Sequence, residues 1–219
     1  MGWQVWGAAT ATCLAFVMSS PALAQPGSAT AGAEALIQAE NVAGLFDALP
    51  NPNARLVRHR RSGMMCLFVE GSTAKLEVYD PQRNGDDVSC SQLQSNGADL
   101  TMFATRKEAS AEQWLGSAQR SLATWAWSAP PQPLGKEVAA TDSPFPRSQA
   151  AYIGVLRSRP TFVRLATART PDGWLIKQRL VVPLDAASEK GRERLIAESH
   201  LMAETIFFET LNAIAARGR

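Results

Sequence analysis

Residues 161–183, "TFVRLATARTPDGWLIKQRLVVP", predict the β-hairpin on which the rest of the fold is built. The turn is "TPDG" at 170–173, in which the proline presets φ and the glycine tolerates a positive φ. In the second strand, Lys177 and Arg179 alternate with apolar residues, which indicates one face turned to a core and one turned outward. A hairpin with one apolar face needs another layer to cover that face.

The end of the chain predicts the helix that supplies this layer. Residues 185–216 carry apolar side chains at helical spacing, with Asp185 or Ser188 as the N-cap and Gly218 after the end. One apolar face collects Ile196, Ala203, Phe207, Leu211 and Ile214. We expect this long amphipathic helix to close over the sheet and bury the apolar face of the hairpin.

Further strands are predicted before the hairpin, separated by turn signals at 71–72 and 84–85. They read "ARLVRHR", "MMCLFVE", "AKLEVYD", "DVSCSQL", "ADLTMFATR" and "AYIGVLRS". "MMCLFVE" is a continuous apolar run, which is typical of a strand buried on both faces. Local pairing would bring Cys66 and Cys90 onto neighbouring strands.

Two more helices are predicted upstream. One covers 41–50, with Asn41 as its N-cap and a proline as its stop. "AEALIQ" at 33–38 can extend this helix or form a separate strand. The other helix begins after Ser110, which has the spacing of a capping box with Gln113. Its apolar stripe contains Ala111, Leu115, Ala118, Leu122 and Trp125, with Trp114 and Trp127 beside it, and such a stripe is more often core than ligand site.

The order of these elements predicts an α+β fold: a single antiparallel sheet packed against helices in α/β/α layers. This order resembles the Mog1/PsbP-type arrangement, which is found in small exported or lumenal modules. The resemblance lies in element order and implies an accessory or assembly role. It assigns no site residue.

The start of the chain predicts export. Residues 1–24 carry no charged side chain and contain an apolar stretch followed by the small-x-small run Ala22-Leu23-Ala24. This pattern is typical of a secretory signal cleaved before Gln25. The alternative is an uncleaved membrane anchor, but the apolar run is shorter than the roughly 20 residues that span a bilayer. We therefore expect a periplasmic or secreted protein with no stable membrane anchor.

After the predicted signal, the chain consists of a short lead-in and one domain. Residues 25–32, "QPGSATAG", predict a flexible lead-in, and 33–219 predict a single α+β domain. Within it, 128–149 is rich in proline and lacks periodicity, so we expect a surface loop there. Long loops of this kind are often functional, and this loop is the first candidate for a binding lid.

Removal of the signal leaves two cysteines, Cys66 and Cys90. Two cysteines in an exported chain are most simply one disulfide, which would stabilise the fold by roughly 3.5 kcal/mol in the entropic model. A catalytic thiol is the alternative, but no neighbouring residue is recognisable as lowering its pKa. The two cysteines and two histidines match no zinc-ligand spacing, so we expect no metal.

Basic residues concentrate around the last hairpin, although the formal net charge is only +2. A balance so close to neutral argues against a nucleic-acid binder. The residues are Arg157, Arg159, Arg164, Arg169, Lys177 and Arg179. They indicate either a solvated sheet face or an anion-binding surface. For the second alternative, the candidate binding residues are Arg164, Lys177 and Arg179, with a small anionic ligand.

Four short motifs contain residue types that can carry chemistry. Ser72 and Lys75 match the S-x-x-K spelling of penicillin-recognising enzymes, but they fall at a turn between strands and not at a helix start. Residues 80–86 echo a calcium loop, but no helices flank them, which favours a polar hairpin tip. His200 and Glu204 stand one helical turn apart and are expected to form an exposed pair. His59, within "RHRR", is expected on a solvated strand.

These observations predict an exported, non-enzymatic accessory or binding protein without a cofactor. Its partner would be an unknown envelope protein or a small anionic ligand. The alternative is a hydrolase with a dispersed active site around His59 or His200.

Overall fold

The computed structural model describes residues 26–80, 82, 84–134, 143–185 and 188–217, with side chains from residue 29 onward. The predicted signal peptide and Gly218 lie outside the described residues. So does the middle of the Pro-rich segment.

The described part of the chain forms an α+β fold with three helices and ten strands. Their order is α1 (Pro26–Ala39), β1 (Phe46–Leu49), β2 (Arg55–His59), β3 (Met65–Phe68), β4 (Thr73–Val78), β5 (Asp87–Leu93), β6 (Asp99–Arg106), α2 (Ala111–Ala123), β7 (Trp127–Pro133), β8 (Arg147–Leu156), β9 (Arg159–Arg169), β10 (Trp174–Pro183) and α3 (Glu189–Arg217).

The predicted hairpin lies at the centre of a large antiparallel sheet with the order β4-β5-β6-β10-β9-β8-β7. At its turn, the backbone N–H of Thr170 donates to the carbonyl of Trp174 over 2.9 Å, and Gly173 has a φ of 86°. A positive φ is the conformation that glycine adopts at no steric cost. The turn is therefore formed as the sequence predicts.

The strands form two sheets, so the prediction of a single sheet is wrong. β1, β2 and β3 make a separate three-stranded antiparallel sheet. In β3, Cys66 and Phe68 are buried while Met65 and Leu67 are only partly buried. This strand is therefore buried on one face, which packs in the main core, and not on both faces as its apolar run indicated. The small sheet is thus a covering layer of the large one.

The large sheet has two faces with different partners. Ile176, Gln178 and Leu180 of β10 lie on the face that α3 covers, called here the α3 face. Lys177 and Arg179 point to the opposite side, called the α2 face, where α2 packs over β7, β8 and β9. α2 thus packs towards the β7 end of this face.

The core lies between the large sheet and the layer made of α3 and the small sheet. Its main cluster joins Phe46 and Phe68 of the small sheet to Trp174 of the large sheet and Phe207 of α3. Burying each such side chain stabilises the fold by roughly 1.5–3 kcal/mol. The predicted stripe of α3 is buried from Ala203 to Ile214, whereas Ile196 is only partly buried.

The N-terminal elements differ from the prediction. α1 begins at Pro26, inside the segment expected to be a flexible lead-in, and includes "AEALIQ". Proline suits the first helical turn, alanine is the best helix former, and Ala33 and Ile37 bury the helix against the core. The helix predicted over 41–50 is absent from this described region, since Asn41 adopts a left-handed φ of 55° in a turn and β1 follows.

The Pro-rich segment is also more regular than predicted. Its first residues form β7, the edge strand of the large sheet, whose pairing with β8 is interrupted by register shifts. Proline is tolerated on an edge strand because one side of the strand needs no ladder hydrogen bond. Residues 135–142 lie outside the described residues. Among the three helices of the described chain, none combines the length and the apolar character needed to cross a bilayer.

Candidate functional site

The three predicted binding residues do not form one site. Arg164 pairs across strands with Leu180 and lies on the α3 face. Lys177 and Arg179 lie on the α2 face, because side chains alternate between the two faces along a strand. The sheet therefore separates Arg164 from the other two cations.

Arg164 is buried in a polar cluster beneath α3, with 1% of its surface exposed. Its guanidinium donates to the carboxylate of Glu204, to Gln178, and over 3.1 Å to Gln149. Arg147 donates to the same carboxylate. Burial lowers the pKa of Arg164 to about 10, and the charge of Glu204 opposes this effect. The cluster fastens α3 to β8, β9 and β10.

The same cluster corrects the prediction for His200 and Glu204. Glu204 is buried and held by two arginines, so the two residues are not an exposed helix pair. His200 is partly buried, and burial lowers its pKa. It lines a groove of about 690 Å³ between α3 and the sheet, together with Phe162 and Ile196. The groove walls are largely apolar, and its charged lining residues carry both signs: Glu189, Arg192 and Glu193.

Lys177 and Arg179 meet aromatic side chains on the α2 face. The ammonium of Lys177 lies 4.2 Å from the ring centroid of Trp114 and 5.1 Å from that of Phe103. The guanidinium carbon of Arg179 lies 5.9 Å from Phe103 and 5.8 Å from Trp125. These five residues are called here the cation-aromatic surface. They come from β10, β6, the first turn of α2 and the residue after its C-cap, so the packing of α2 assembles the surface.

Arg179 and Lys177 differ in their hydrogen-bond and ion-pair partners. Arg179 donates to the hydroxyl of Thr101 over 3.1 Å and lies 3.6 Å from a carboxylate oxygen of Asp99. Within the described ranges, Lys177 has ring contacts but no hydrogen-bond acceptor or carboxylate in contact with its ammonium. Burial lowers the pKa of Lys177 to about 8, the charge of Asp87 opposes this shift and Lys107 adds to it.

The cation-aromatic surface continues in two directions. Towards the sheet edge, Tyr79 stacks on Phe103 with centroids 6.4 Å apart, and 51% of its surface is exposed. Towards the other side, Arg179 and Trp125 line a pocket of about 540 Å³ together with Arg157. The surface therefore joins an exposed aromatic ring to a pocket with further basic residues.

His59 is fully buried, so the prediction of a solvated position is wrong. It points to the core from β2, because alternate residues of this strand face the large sheet, and its ring lies 5.2 Å from Phe46 and 5.5 Å from Trp174 between centroids. Burial lowers its pKa to about 4. Its Nδ1 lies 2.9 Å from the hydroxyl of Ser62, which also accepts from the backbone N–H of Met64 over 3.1 Å. The contact fastens the β2–β3 turn.

The remaining motifs have structural places. The hydroxyl of Ser72 donates to a backbone carbonyl, and Lys75 pairs with Glu77 on β4, so no helix joins the S-x-x-K residues. Asn84 and Gly85 adopt left-handed φ values of 49° and 79° at a hairpin tip. Residues 81 and 83 of this tip lie outside the described residues. In the portion of the chain that the structure describes, no three His, Cys, Asp or Glu side chains cluster as a metal site.

The predicted disulfide is present between Cys66 and Cys90, with Cα atoms 6.2 Å apart. The prediction of neighbouring strands needs correction, because Cys66 lies on β3 of the small sheet and Cys90 on β5 of the large sheet. The bond therefore fastens one sheet to the other.

Sequence reasoning missed the aromatic half of the cation-aromatic surface. The sequence pattern puts Trp114 beside a core stripe and does not link Phe103 to Lys177. A usable signal existed in β6, where Phe103 alternates with apolar residues and lies with Thr101 and Thr105 on one face. Its contact with Lys177 depends on the pairing of β6 with β10, which are far apart in the sequence.

Comparisons with known proteins identify no family. No family model matches this chain, and no curated protein matches it. Among solved structures, LpqN, described as involved in cell envelope biogenesis of Mycobacterium tuberculosis, is similar with a TM-score of 0.36 and 15% identity. The match covers 73% of this chain and 80% of that one. A likeness this low establishes no shared fold, and no function is taken from it.

Proposed function

We propose that this chain is an exported binding protein, periplasmic or secreted, that holds an anionic ligand or the anionic group of a partner on its cation-aromatic surface. The observation that carries the proposal is the partly buried ammonium of Lys177, whose contacts among the described residues are aromatic rings. We propose also that the α/β/α layers belong to the Mog1/PsbP type.

Export is supported by the disulfide together with the uncharged, apolar start of the chain. Disulfides persist in oxidising compartments and are rare in the cytosol. Because the bond joins two sheets, it contributes to the fold and is not a pair of free thiols available for chemistry.

An anionic ligand is supported by the electrostatics of Lys177. Removing an ammonium from water is unfavourable unless a counter-charge or hydrogen-bond acceptors replace the water. The faces of Trp114 and Phe103 offer part of this stabilisation, because their ring quadrupoles attract a cation. A carboxylate or phosphate above the surface would supply the rest and could also reach Arg179.

The hydrolase alternative has less support. A general base works best with a pKa near the operating pH, whereas burial holds the pKa of His59 at about 4. The carboxylate one helical turn after His200 on α3, that of Glu204, is held by Arg147 and Arg164.

Titration with citrate tests the binding proposal, with NMR detection of the indole N–H groups. The four tryptophans after residue 25 are Trp114, Trp125, Trp127 and Trp174. Ionic strength is held constant, and chloride is the reference anion. We expect citrate to change the chemical shifts of the Trp114 and Trp125 indole N–H groups until the site is saturated. Trp174, which is buried in the core, should move least.

Lys177→Met should weaken citrate binding by about tenfold, since a charge-assisted contact contributes about 1.5 kcal/mol or more. Lys190→Met is the matched control, because Lys190 is exposed on α3. Unmoved Trp114 and Trp125 resonances, or equal affinities of wild type and the Lys177 variant, would contradict the proposal.

A further inference from the structure

Lys177 has the surroundings of a reactive amine. Its side chain leaves β10 beside Phe103 of the neighbouring strand and ends under Trp114 of α2, so two aromatic rings replace much of its water. Known nucleophilic lysines are desolvated in apolar pockets or placed beside another cation, and both conditions destabilise the ammonium relative to the free amine. Here Lys107 supplies the second cation, with its ammonium 5.5 Å from the Trp114 centroid.

The charged groups around Lys177 come from three elements. Asp87 lies on β5, Lys107 follows β6, and Arg179 is two residues further along β10 on the same face. The carboxylate of Asp87 accepts from the hydroxyl of Thr105 over 2.7 Å, which leaves a second oxygen for other contacts. The surroundings thus hold an amine, a guanidinium and a carboxylate within one partly buried patch.

We propose that Lys177 forms an imine with a ligand that carries both a carbonyl and a carboxylate, a 2-oxo acid or aldehyde acid. The inference rests on the proposed function, since the ligand's carboxylate is the anion that the cation-aromatic surface holds. Arg179 is the group that positions this carboxylate, because strand residues two apart project on one side and stand about 7 Å apart.

The step is a condensation without oxidation. The lone pair of the Lys177 amine attacks the carbonyl carbon, a C–N bond forms, and the π electron pair of the carbonyl moves onto oxygen. Solvent relays one proton from nitrogen to that oxygen, which gives a neutral carbinolamine. Its hydroxyl then leaves as water with the second proton from nitrogen, the C–O bond breaks and the C=N bond forms. Hydrolysis reverses the step and returns the free amine.

Reductive alkylation with peptide mapping by mass spectrometry tests the inference. Propanal is a neutral probe that reports the amine alone, and glyoxylate adds a carboxylate. Cyanoborohydride traps each imine as a stable secondary amine. The sequence contains five lysines, namely Lys75, Lys107, Lys136, Lys177 and Lys190, so each is measured in one digest.

With propanal at pH 7, we expect Lys177 to react at least about tenfold faster than Lys190. A lysine with a pKa of about 8 holds about one amine in ten unprotonated, against about one in 2,500 for an ordinary lysine, and its lower basicity offsets part of this gain. The rate at Lys177 should level off above about pH 8, whereas the rate for the side chain of a free lysine derivative should keep rising towards pH 10.

A matched pair of variants separates the local cause from a general loss of structure. Trp114→Ala removes the ring nearest to the ammonium and should move the inflection of the Lys177 rate to higher pH. Trp125→Ala removes a ring that contacts Arg179 and should leave the inflection in place.

Two results would overturn the inference in different ways. Equal propanal rates at Lys177 and Lys190 would exclude the reactive amine and leave citrate binding, and so the proposed function, intact. A Lys177 to Lys190 ratio that is no higher for glyoxylate than for propanal would exclude the oxo acid as the ligand. Failure of citrate binding with a fast propanal reaction would remove the proposed function instead.

Discussion

Glu204 links α3 to the large sheet through buried ion pairs. Its carboxylate accepts from Arg147 and Arg164, and all three side chains are largely buried. Removing one partner of a buried pair leaves an uncompensated charge and costs about 3–5 kcal/mol. We therefore expect Glu204→Gln to lower the free energy of unfolding by about that amount in urea denaturation.

Glu198→Gln is the matched control for this prediction. Glu198 lies on the same helix and pairs with Arg194, but both side chains are exposed. Exposed pairs of this kind contribute about 0.3–0.5 kcal/mol. Equal effects of the two substitutions would show that the buried cluster does not hold α3.

Because His59 is buried, we expect the free energy of unfolding to decrease in acid. Its folded pKa of about 4 lies below the unfolded value of about 6.5, so the unfolded chain binds more protons between these pH values. The contribution of neutral His59 to the free energy of unfolding is therefore fully present above about pH 6.5. It is lost as the pH falls towards 4, and the loss amounts to about 3 kcal/mol.

Proton NMR of the imidazoles measures this directly, because the sequence has two histidines, His59 and His200. We expect the His59 resonance to titrate near pH 4. A midpoint for His59 near 6.5, or a His59→Gln variant with an unchanged slope of stability against pH, would refute the prediction. His200→Gln should keep most of the slope.

At the residue scale, the sequence predicts the face of a strand on which a side chain lies better than it predicts whether that side chain is buried. Alternation in β10 places Lys177 and Arg179 opposite the apolar residues, as the structure has them. The sequence indicates a solvated sheet face or an anion-binding surface for Arg164 and an exposed helix pair for Glu204, because charged residues usually are exposed. Each is buried through the other, over a separation of 40 residues that no local pattern reveals.

Among the elements, the β7–β8 pairing requires a glycine at 154. A Cβ built there would lie 2.6 Å from the Trp127 ring and 3.2 Å from the backbone of Pro131. The ring and the edge strand would both have to shift, so we expect Gly154→Ala to cost about 1–3 kcal/mol. Thermal unfolding of the variant is the measurement.

Gly44→Ala is the control for this substitution. Gly44 is exposed and has no atom within 4 Å of a built Cβ, so its replacement should change stability by less than about 0.5 kcal/mol. If Gly154→Ala is as mild as this control, Trp127 does not pack against β8 as described.

The disulfide makes a further prediction about elements. Replacing Cys66 and Cys90 by alanine removes the covalent link between β3 and β5, and a closed loop of this length stabilises by roughly 3.5 kcal/mol in the entropic model. Hydrogen exchange should accelerate most in β1, β2 and β3, because the small sheet loses its link to the large one. Uniform acceleration over all strands would contradict a local role for the bond.

At the element scale, strong periodicity predicted the structure and short apolar segments did not. The capping box at Ser110 and Gln113, the turn at 170–173 and the long terminal helix are present. The segment 41–50 contains apolar residues compatible with either a helix or a strand. The part of this segment that forms β1 is a strand because it pairs with β2, and the sequence alone does not indicate that pairing.

For the whole molecule, the sequence predicts an α+β fold but not the number of sheets. Three short strands that alternate in burial form a separate layer, because α3 alone leaves part of the large sheet's apolar face uncovered. The candidate site has the same origin. α2 packs mainly over β7, β8 and β9, so Trp114 in its first turn and Trp125 just after its last residue lie beside the cations of β10.

Titration of the Lys177 side-chain amine by NMR, with and without citrate, tests the binding account most directly. In the free protein, we expect a pKa of about 8, because burial disfavours the charged amine. Citrate should raise this pKa, since an anion stabilises the ammonium. An ordinary lysine value near 10.4, unchanged by citrate, would contradict the assignment of this surface as an anion-binding site.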